Sequence, residues 1–277
     1  MKKLDRLVWT AGVSFRAYGV RVGLRANSEE ALKLASDYLP PDTKPAVSPA
    51  VERLYSFVLG AEGRGSKLRR FHLLYANEVQ LARTFDLDHV LRSLESDSQF
   101  YVAEAAPRRV FVHAGVVGWR GRAVLIPGRS FSGKTTLVAE LMRAGAVYYS
   151  DEYAVLDANG LVHPYTRPLA LREEGSSKSE RHSVESLGGT RGKRPLSVGL
   201  VVVTEYKTGA RWRPRRLTAG QGALALLNNS VSIKSRPEAA FPVLKHTASR
   251  APFLKSARGE AKEVVESILM ELEKVSS

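Results

Sequence analysis

A mixed α/β (α+β) fold is what this sequence predicts, with one sheet built around a glycine-bounded bend in the second half of the chain and a small α+β part before it. Three observations carry the prediction. A short apolar run, Val124-Leu125-Ile126, leads into Gly128-Arg-Ser-Phe-Ser-Gly133-Lys134-Thr135, and a stretch of helical composition, Thr136 to Arg143, follows, with Gly145 placed to end it. Strand-type runs surround that unit at 109–119, 146–156 and 196–206. The first hundred residues repeat the mixture on a smaller scale and contain no such bend. The organisation expected is an N-terminal α+β region over residues 1–100 and a loop-bearing domain over 101–277.

In chain order, Tyr18, Val20, Val22 and Leu24 alternate with Gly19, Arg21, Gly23 and Arg25, a strand period with one wet face. Asn27-Ser28 before Glu-Glu-Ala-Leu-Lys-Leu-Ala predicts a capped helix, stopped by Pro40-Pro41. Residues 51–59 and 71–75 read as strands around a Gly- and Arg-rich turn at 60–70, and residues 86–97 as an amphipathic helix with Leu87, Val90, Leu91 and Leu94 on one face. Two strand runs meeting at Arg120-Gly121 predict a hairpin, so the strand feeding the bend has an antiparallel neighbour. Ser150-Asp151-Glu152 interrupts the next apolar run with an acidic pair. Residues 173–195 are rich in Gly, Ser and charge, too long for an ordinary connection, and read as a mobile stretch or a lid. Leu196 to Tyr206 is a buried strand; Gln221 to Asn229 and Ala261 to Val275 read as helices.

The bend satisfies the pattern G-x-x-x-x-G-K-[ST], and the chemistry explains the residue types. Gly128 and Gly133 permit backbone turns that a Cβ would block, so amide N–H groups converge on one anion. Lys134 supplies a point charge for β and γ oxygens, Thr135 a hydroxyl for Mg²⁺, and the following helix its positive dipole end. Gly128, Arg129, Ser130, Phe131, Ser132, Gly133, Lys134, Thr135 and Thr136 are therefore the candidate nucleotide contacts. Asp151 and Glu152, delivered by a strand beside them, are candidate catalytic or metal-binding carboxylates. Arg167, Arg172 and Arg258 are candidate phosphate clamps, because a transferring phosphoryl group suits a guanidinium.

Composition bounds the rest. With no cysteine among 277 residues, disulfides, thiolate metal sites and cysteine nucleophiles are excluded. The charge of +14 and pI near 10.1 attract polyanions. The arginines are nevertheless scattered, and the sequence has no helix-turn-helix, zinc-finger or RNA-binding signature, so nucleic acid is not the partner expected. Asp5, Arg6 and Arg16 interrupt any signal-peptide core, and no apolar run reaches a membrane span; a cytoplasmic location is expected.

His113 on its strand, the loop, and Ser150-Asp151-Glu152 together resemble the HPr kinase/phosphorylase C-terminal domain family, whose fold is shared with phosphoenolpyruvate carboxykinase. His113 stands fifteen positions before Gly128, and Asp151 and Glu152 seventeen and eighteen after Lys134, in keeping with the family's separations. The likeness covers residues 109–157. It implies a mixed sheet with a P-loop and an ATP- and Mg²⁺-dependent kinase that phosphorylates a serine or other hydroxyl of a protein or peptide acceptor. It also implies Asp151 as the base toward that hydroxyl, Thr135, Asp151 and Glu152 at the metal, His113 and Glu152 orienting the base, and a homo-oligomer. Glu152 stands where the family usually has Asp, Thr135 replaces Ser, and Leu187-Gly-Gly-Thr-Arg-Gly is at most a remnant of the Glu-x-Arg-Gly-Leu-Gly signature of phosphorolysis. The resemblance thus supports phosphoryl transfer better than HPr as acceptor. Alternatives within reach of the same residues are a small-molecule kinase and a nucleotide-dependent ATPase or switch.

Overall fold

Val20, Val22, Leu24 and Ala26 alternate toward one side of their strand and are each at most 1% exposed, which is what the period-two pattern dictates. The structure that shows this is a computed structural model; it describes residues 7, 9–60, 70–129, 132–172 and 179–274, with the backbone alone at Arg172 and Ser179. The chain divides into two compact units, Met1–Pro107 and Arg108–Ser277. The described residues form a mixed α/β structure with six α-helices.

The first unit contains β1 (Ala11–Ala17), β2 (Val20–Ala26), α1 (Glu29–Ser36), β3 (Lys44–Pro45), β4 (Arg53–Val58), β5 (His72–Ala76), β6 (Val79–Thr84) and α2 (Leu87–Ala105). Its sheet has the order β3-β1-β2-β4-β5-β6, antiparallel except where β2 meets β4 through the α1 crossover. Ser28 caps α1 as expected, its Oγ accepting from the Ala31 N–H at 3.1 Å. Tyr18 is not in a strand: with Gly19 it makes the turn between β1 and β2, both at positive φ. Asp86 caps α2, which continues past the expected Asp97 to Ala105, so the boundary between units falls after Pro107 rather than at residue 100. The turn expected at 60–70 lies for the most part outside the described residues.

The second unit contains β7 (Val110–Trp119), β8 (Arg122–Pro127), α3 (Lys134–Arg143), β9 (Val147–Ser150), β10 (Tyr153–Leu156), β11 (Leu161–His163), β12 (Leu169–Arg172), β13 (Ser179–His182), β14 (Leu196–Tyr206), β15 (Arg215–Leu217), α4 (Ala219–Leu227), α5 (Pro237–Arg250), β16 (Phe253–Arg258) and α6 (Val265–Lys274). The main sheet runs β11-β10-β7-β8-β14-β16-β15, and β11 also pairs β14, so the sheet curls until its first strand meets its fifth. Strands β8, β14 and β16 are parallel, whereas β7 and β8 form the expected hairpin with Arg120 and Gly121 at positive φ. Even-numbered residues of β7 from Val110 to Val116 enter a core with α4 and α5; Val117, on the other face, joins the core under α3 and α6.

Two stretches differ from their sequence expectation. Residues 179–195 are not a structureless connection: β13 pairs with β12, a 3-10 turn spans Glu185–Leu187, and the Gly192 N–H donates to the Tyr148 carbonyl at 2.7 Å. Residues 173–178 lie outside the described residues. The C-terminal helix begins at Val265 after a 3-10 turn at Ala261–Glu263. Helix α5 had no sequence expectation, although Pro237 stands at its first position, where a missing N–H costs nothing. Among the described residues no helix is long and apolar enough to cross a membrane.

Candidate functional site

Strand β7 organises the site because it is paired on both edges. One edge carries β8, which delivers the loop; the other carries β9 and β10. Val116 opposite Ser150 and His113 opposite Tyr153 share one register, so Asp151 and Glu152 lie opposite Gly115 and Ala114, and the Ala114 N–H donates to the Glu152 carbonyl at 3.1 Å. A bulge falls at Tyr149, between the Tyr148 and Ser150 pairings. The acidic pair is thus a turn within one extended run along β7. Ser150, fully buried, fixes that turn: its Oγ accepts from the N–H groups of Glu152 at 3.1 Å and Tyr153 at 2.9 Å.

Helix α3 is held over the same strand by a missing side chain. A Cβ on Gly115 would lie 2.6 Å from Val138 Cγ2, so only glycine allows this approach. The helix starts from Gly133 in the left-handed region (φ +82°) and ends in a Schellman arrangement, with Gly145 N–H to the Met142 carbonyl and Ala146 N–H to the Leu141 carbonyl. Gly145 therefore terminates the helix as expected.

The structure brings Lys134, Thr135, Asp151, Glu152 and His113 together. Thr135 Oγ1 donates to Asp151 Oδ2 at 3.2 Å, and Tyr148, three residues before Asp151, donates its hydroxyl to Oδ1 at 2.9 Å. Asp151 is 7% exposed. Burial, with the Asp151 charge and hydrogen bond second, pushes the Tyr148 phenol well above its ordinary range, so it stays a donor. Lys134 is also buried, and its Nζ donates to the Arg129 carbonyl at 2.7 Å across the loop. Desolvation lowers its pKa while Glu152 and Asp151 oppose the shift.

His113 Nδ1 lies 3.6 Å from Glu152 Oε1, and its ring centroid 4.7 Å from that of Tyr153. Burial first, then the Lys134 charge, hold the imidazole below its ordinary value, so at neutral pH the contact with Glu152 is between a neutral ring and a carboxylate.

The rest of the expected set divides. Thr136 is exposed on the first turn of α3 and Arg129 is exposed before it, while Ser130 and Phe131 lie outside the described residues. Ser132 Oγ is buried and has no hydrogen-bond partner among the described residues; a Cβ on Gly128 would come within 2.7 Å of it. Arg167 acts electrostatically on Tyr148 and Tyr153, and the side chain of Arg172 lies outside the described residues.

Arg258, a candidate clamp, is engaged with two main-chain carbonyls. It is 1% exposed, donates through Nη2 to the Gly133 carbonyl at 2.7 Å and through Nη1 to the Gly259 carbonyl at 3.0 Å, and lies 5.8 Å from the centroid of the Tyr206 ring. It braces the peptide at which the helix begins. Tyr148 was not foreseen, because its reach to Asp151 depends on the bulge at Tyr149. The run of hydroxyl-bearing residues Tyr148, Tyr149 and Ser150 just before the acidic pair was the available signal.

Among the described residues no group of three or more His, Cys, Asp and Glu gathers as a metal site. Beside the loop, the Thr135 hydroxyl and the Asp151 carboxylate bring two hard oxygen donors together. Compared with protein-family models and with curated proteins, the chain matches none.

Proposed function

We propose that the second unit is an ATP-dependent phosphotransferase of the HPr-kinase-like kind, moving the γ-phosphate onto a serine or other hydroxyl of a protein or peptide acceptor. The observation that carries this reading is the hydrogen bond from Thr135 to Asp151. It ties a carboxylate from one edge of β7 to the first turn of the helix that follows a G-x-x-x-x-G-K-T loop on the other edge. The antiparallel strand before the loop, with parallel strands beyond it, also supports the resemblance noted in the sequence.

The residues fit the groups the reaction needs. Ser132 Oγ, buried and without an acceptor among the described residues, suits a phosphate oxygen, as do the N–H groups opening α3. Thr135 and Asp151 are hard oxygen donors that suit Mg²⁺, which takes its other ligands from phosphate and water, and Glu152 is close enough in sequence to join them. When bound, Mg²⁺ would neutralise charge on the phosphate oxygens. Lys134, released from the Arg129 carbonyl, would stabilise charge on the β–γ bridge. Once Thr135 gives up its hydrogen bond, Asp151 Oδ2 is open to take the proton of the acceptor hydroxyl. The acceptor oxygen then bonds to the γ-phosphorus as the bond to the β-phosphate oxygen breaks and ADP leaves. Tyr148 holds Oδ1 throughout, and His113 lies beside Glu152 as a neutral neighbour.

The test is transfer of label from γ-labelled ATP to serine peptides. Asp151→Asn is expected to reduce transfer by about 10²–10⁴-fold while nucleotide binding persists. Undiminished label would refute Asp151 as the base, and hydrolysis with no labelled acceptor would point instead to an ATPase or switch.

A further inference from the structure

The segment from Lys207 to Arg216, Lys-Thr-Gly-Ala-Arg-Trp-Arg-Pro-Arg-Arg, belongs to none of the chemistry above, yet it starts at the loop. The Lys207 N–H donates to the carbonyl of Arg258, the residue that braces Gly133, at 2.9 Å. From there the chain returns along β16, with the Arg213 N–H on Ser256 Oγ at 3.0 Å, and becomes β15, the last strand of the sheet. Among the described residues no strand pairs with the other edge of β15.

Among the described residues, the carboxylates near this strip, Glu205 and Glu260, leave its arginines without an ion pair. Lys207 is bridged to Glu205 at 2.8 Å, and Glu260 receives the Tyr206 hydroxyl at 3.0 Å. Arg211, Arg213, Arg215 and Arg216 are all exposed and make no ion pair among the described residues. Arg215 stands directly opposite Lys255 in the ladder, a like-charge pair that destabilises a sheet unless an anion lies beside it.

Of the aromatic rings in and beside the strip, Trp212 is partly buried, and Tyr206, 44% exposed, has the Arg258 guanidinium 5.8 Å from its centroid. Trp212 packs on the core under α3 with its indole N–H on Ser267 Oγ at 3.0 Å, and the Tyr206 hydroxyl is held by Glu260. A single-stranded nucleic acid, which needs stacking platforms between the cations, therefore fits the strip less well than a chain of carboxylates. An open strand edge also favours an extended polypeptide, whose main chain can add to it.

We propose that the Lys207–Arg216 strip and the edge of β15 dock an acidic, extended polypeptide that presents its acceptor hydroxyl to the loop. The acceptor role rests on the phosphotransferase reading; the docking does not. The test is fluorescence anisotropy of the full chain, without nucleotide, using a fluorescein-labelled peptide of Asp and Glu around one Ser, its Asn/Gln counterpart, and a uridine oligonucleotide.

The acidic peptide is expected to bind at least about tenfold tighter than the neutral one, with affinity falling as salt rises. The combined exchange Arg213→Gln, Arg215→Gln, Arg216→Gln abolishes that margin, while Lys234→Gln, Lys245→Gln, Arg250→Gln, which removes equal charge elsewhere, keeps it. If the first combination loses its cooperative melt, the single exchanges R215Q and R216Q carry the comparison. Equal binding of both peptides, an unchanged affinity in the strip variant, or tighter binding of the oligonucleotide through the same arginines would overturn the proposal. So would a strip variant that weakens ATP but not the peptide. Peptide binding without label transfer counts against the acceptor role and the phosphotransferase reading, and leaves the docking strip standing.

Discussion

Tyr148 reaches Asp151 from three residues back because the bulge at Tyr149 keeps both side chains on the α3 side of the sheet. A neutral phenol donating to a carboxylate in a buried place is a strong hydrogen bond, and Tyr148→Phe removes the donor while keeping the ring. About 1–3 kcal/mol of stability should be lost, read from urea unfolding. Phosphoryl transfer should fall with nucleotide affinity unchanged, because Asp151 loses its orientation and not its charge.

His113 gives a prediction of opposite kind. Its folded pKa lies below the ordinary value of 6.5, so protons bind the unfolded chain more readily in the window between the two. The His113 contribution to stability is present above about pH 6.5 and is lost as pH falls through the lower, folded value. His113→Gln should flatten that part of the stability–pH profile; an unchanged slope would show the imidazole to be unperturbed.

Glycine controls how the elements meet. Gly115→Ala places a methyl 2.6 Å from Val138 Cγ2, so α3 must lift from β7; about 1–3 kcal/mol of destabilisation is expected, together with weaker nucleotide binding, by calorimetry on the same variant. At Gly133 the backbone conformation and Arg258 act together, since a Cβ there would lie 2.5 Å from the guanidinium. Elements of this kind were partly legible in the sequence. The strand, the loop pattern, the start of α3 and its glycine terminator all follow from local rules, as do the Arg120-Gly121 hairpin and the Ser28 cap. Arg258 was legible only as a charge: its bond to Gly133 joins residues 125 positions apart, and no local pattern announces it. Helix α5 drew no expectation: it carries Pro242 in its interior, where proline is disfavoured, although Pro237 at its first position opens a helix readily.

At the scale of the molecule, each unit encloses its own apolar residues: Val22, Phe57, Leu74 and Leu94 in the first, Val117, Val138, Leu200 and Ile268 in the second. A fragment of residues 108–277 should therefore unfold cooperatively by circular dichroism and bind nucleotide as the whole chain does; a fragment without a transition would show that the second unit depends on the first. Mixed fold class and the two-part division were readable from alternating strand and helix patterns. The curl of the sheet that brings β11 to β14 was not, because strand order over long separations leaves no mark on neighbouring residues.

In the proposed reaction Lys134, Thr135 and Asp151 surround one terminal phosphate. A crystal structure with Mg²⁺ and a non-hydrolysable ATP analogue tests it most directly. The γ-phosphate is expected within hydrogen-bonding reach of Lys134 Nζ, with the Asp151 carboxylate facing it and the Thr135 hydroxyl turned from Asp151 to the metal. An analogue bound elsewhere, or an Asp151 carboxylate directed away from the phosphate, would contradict it.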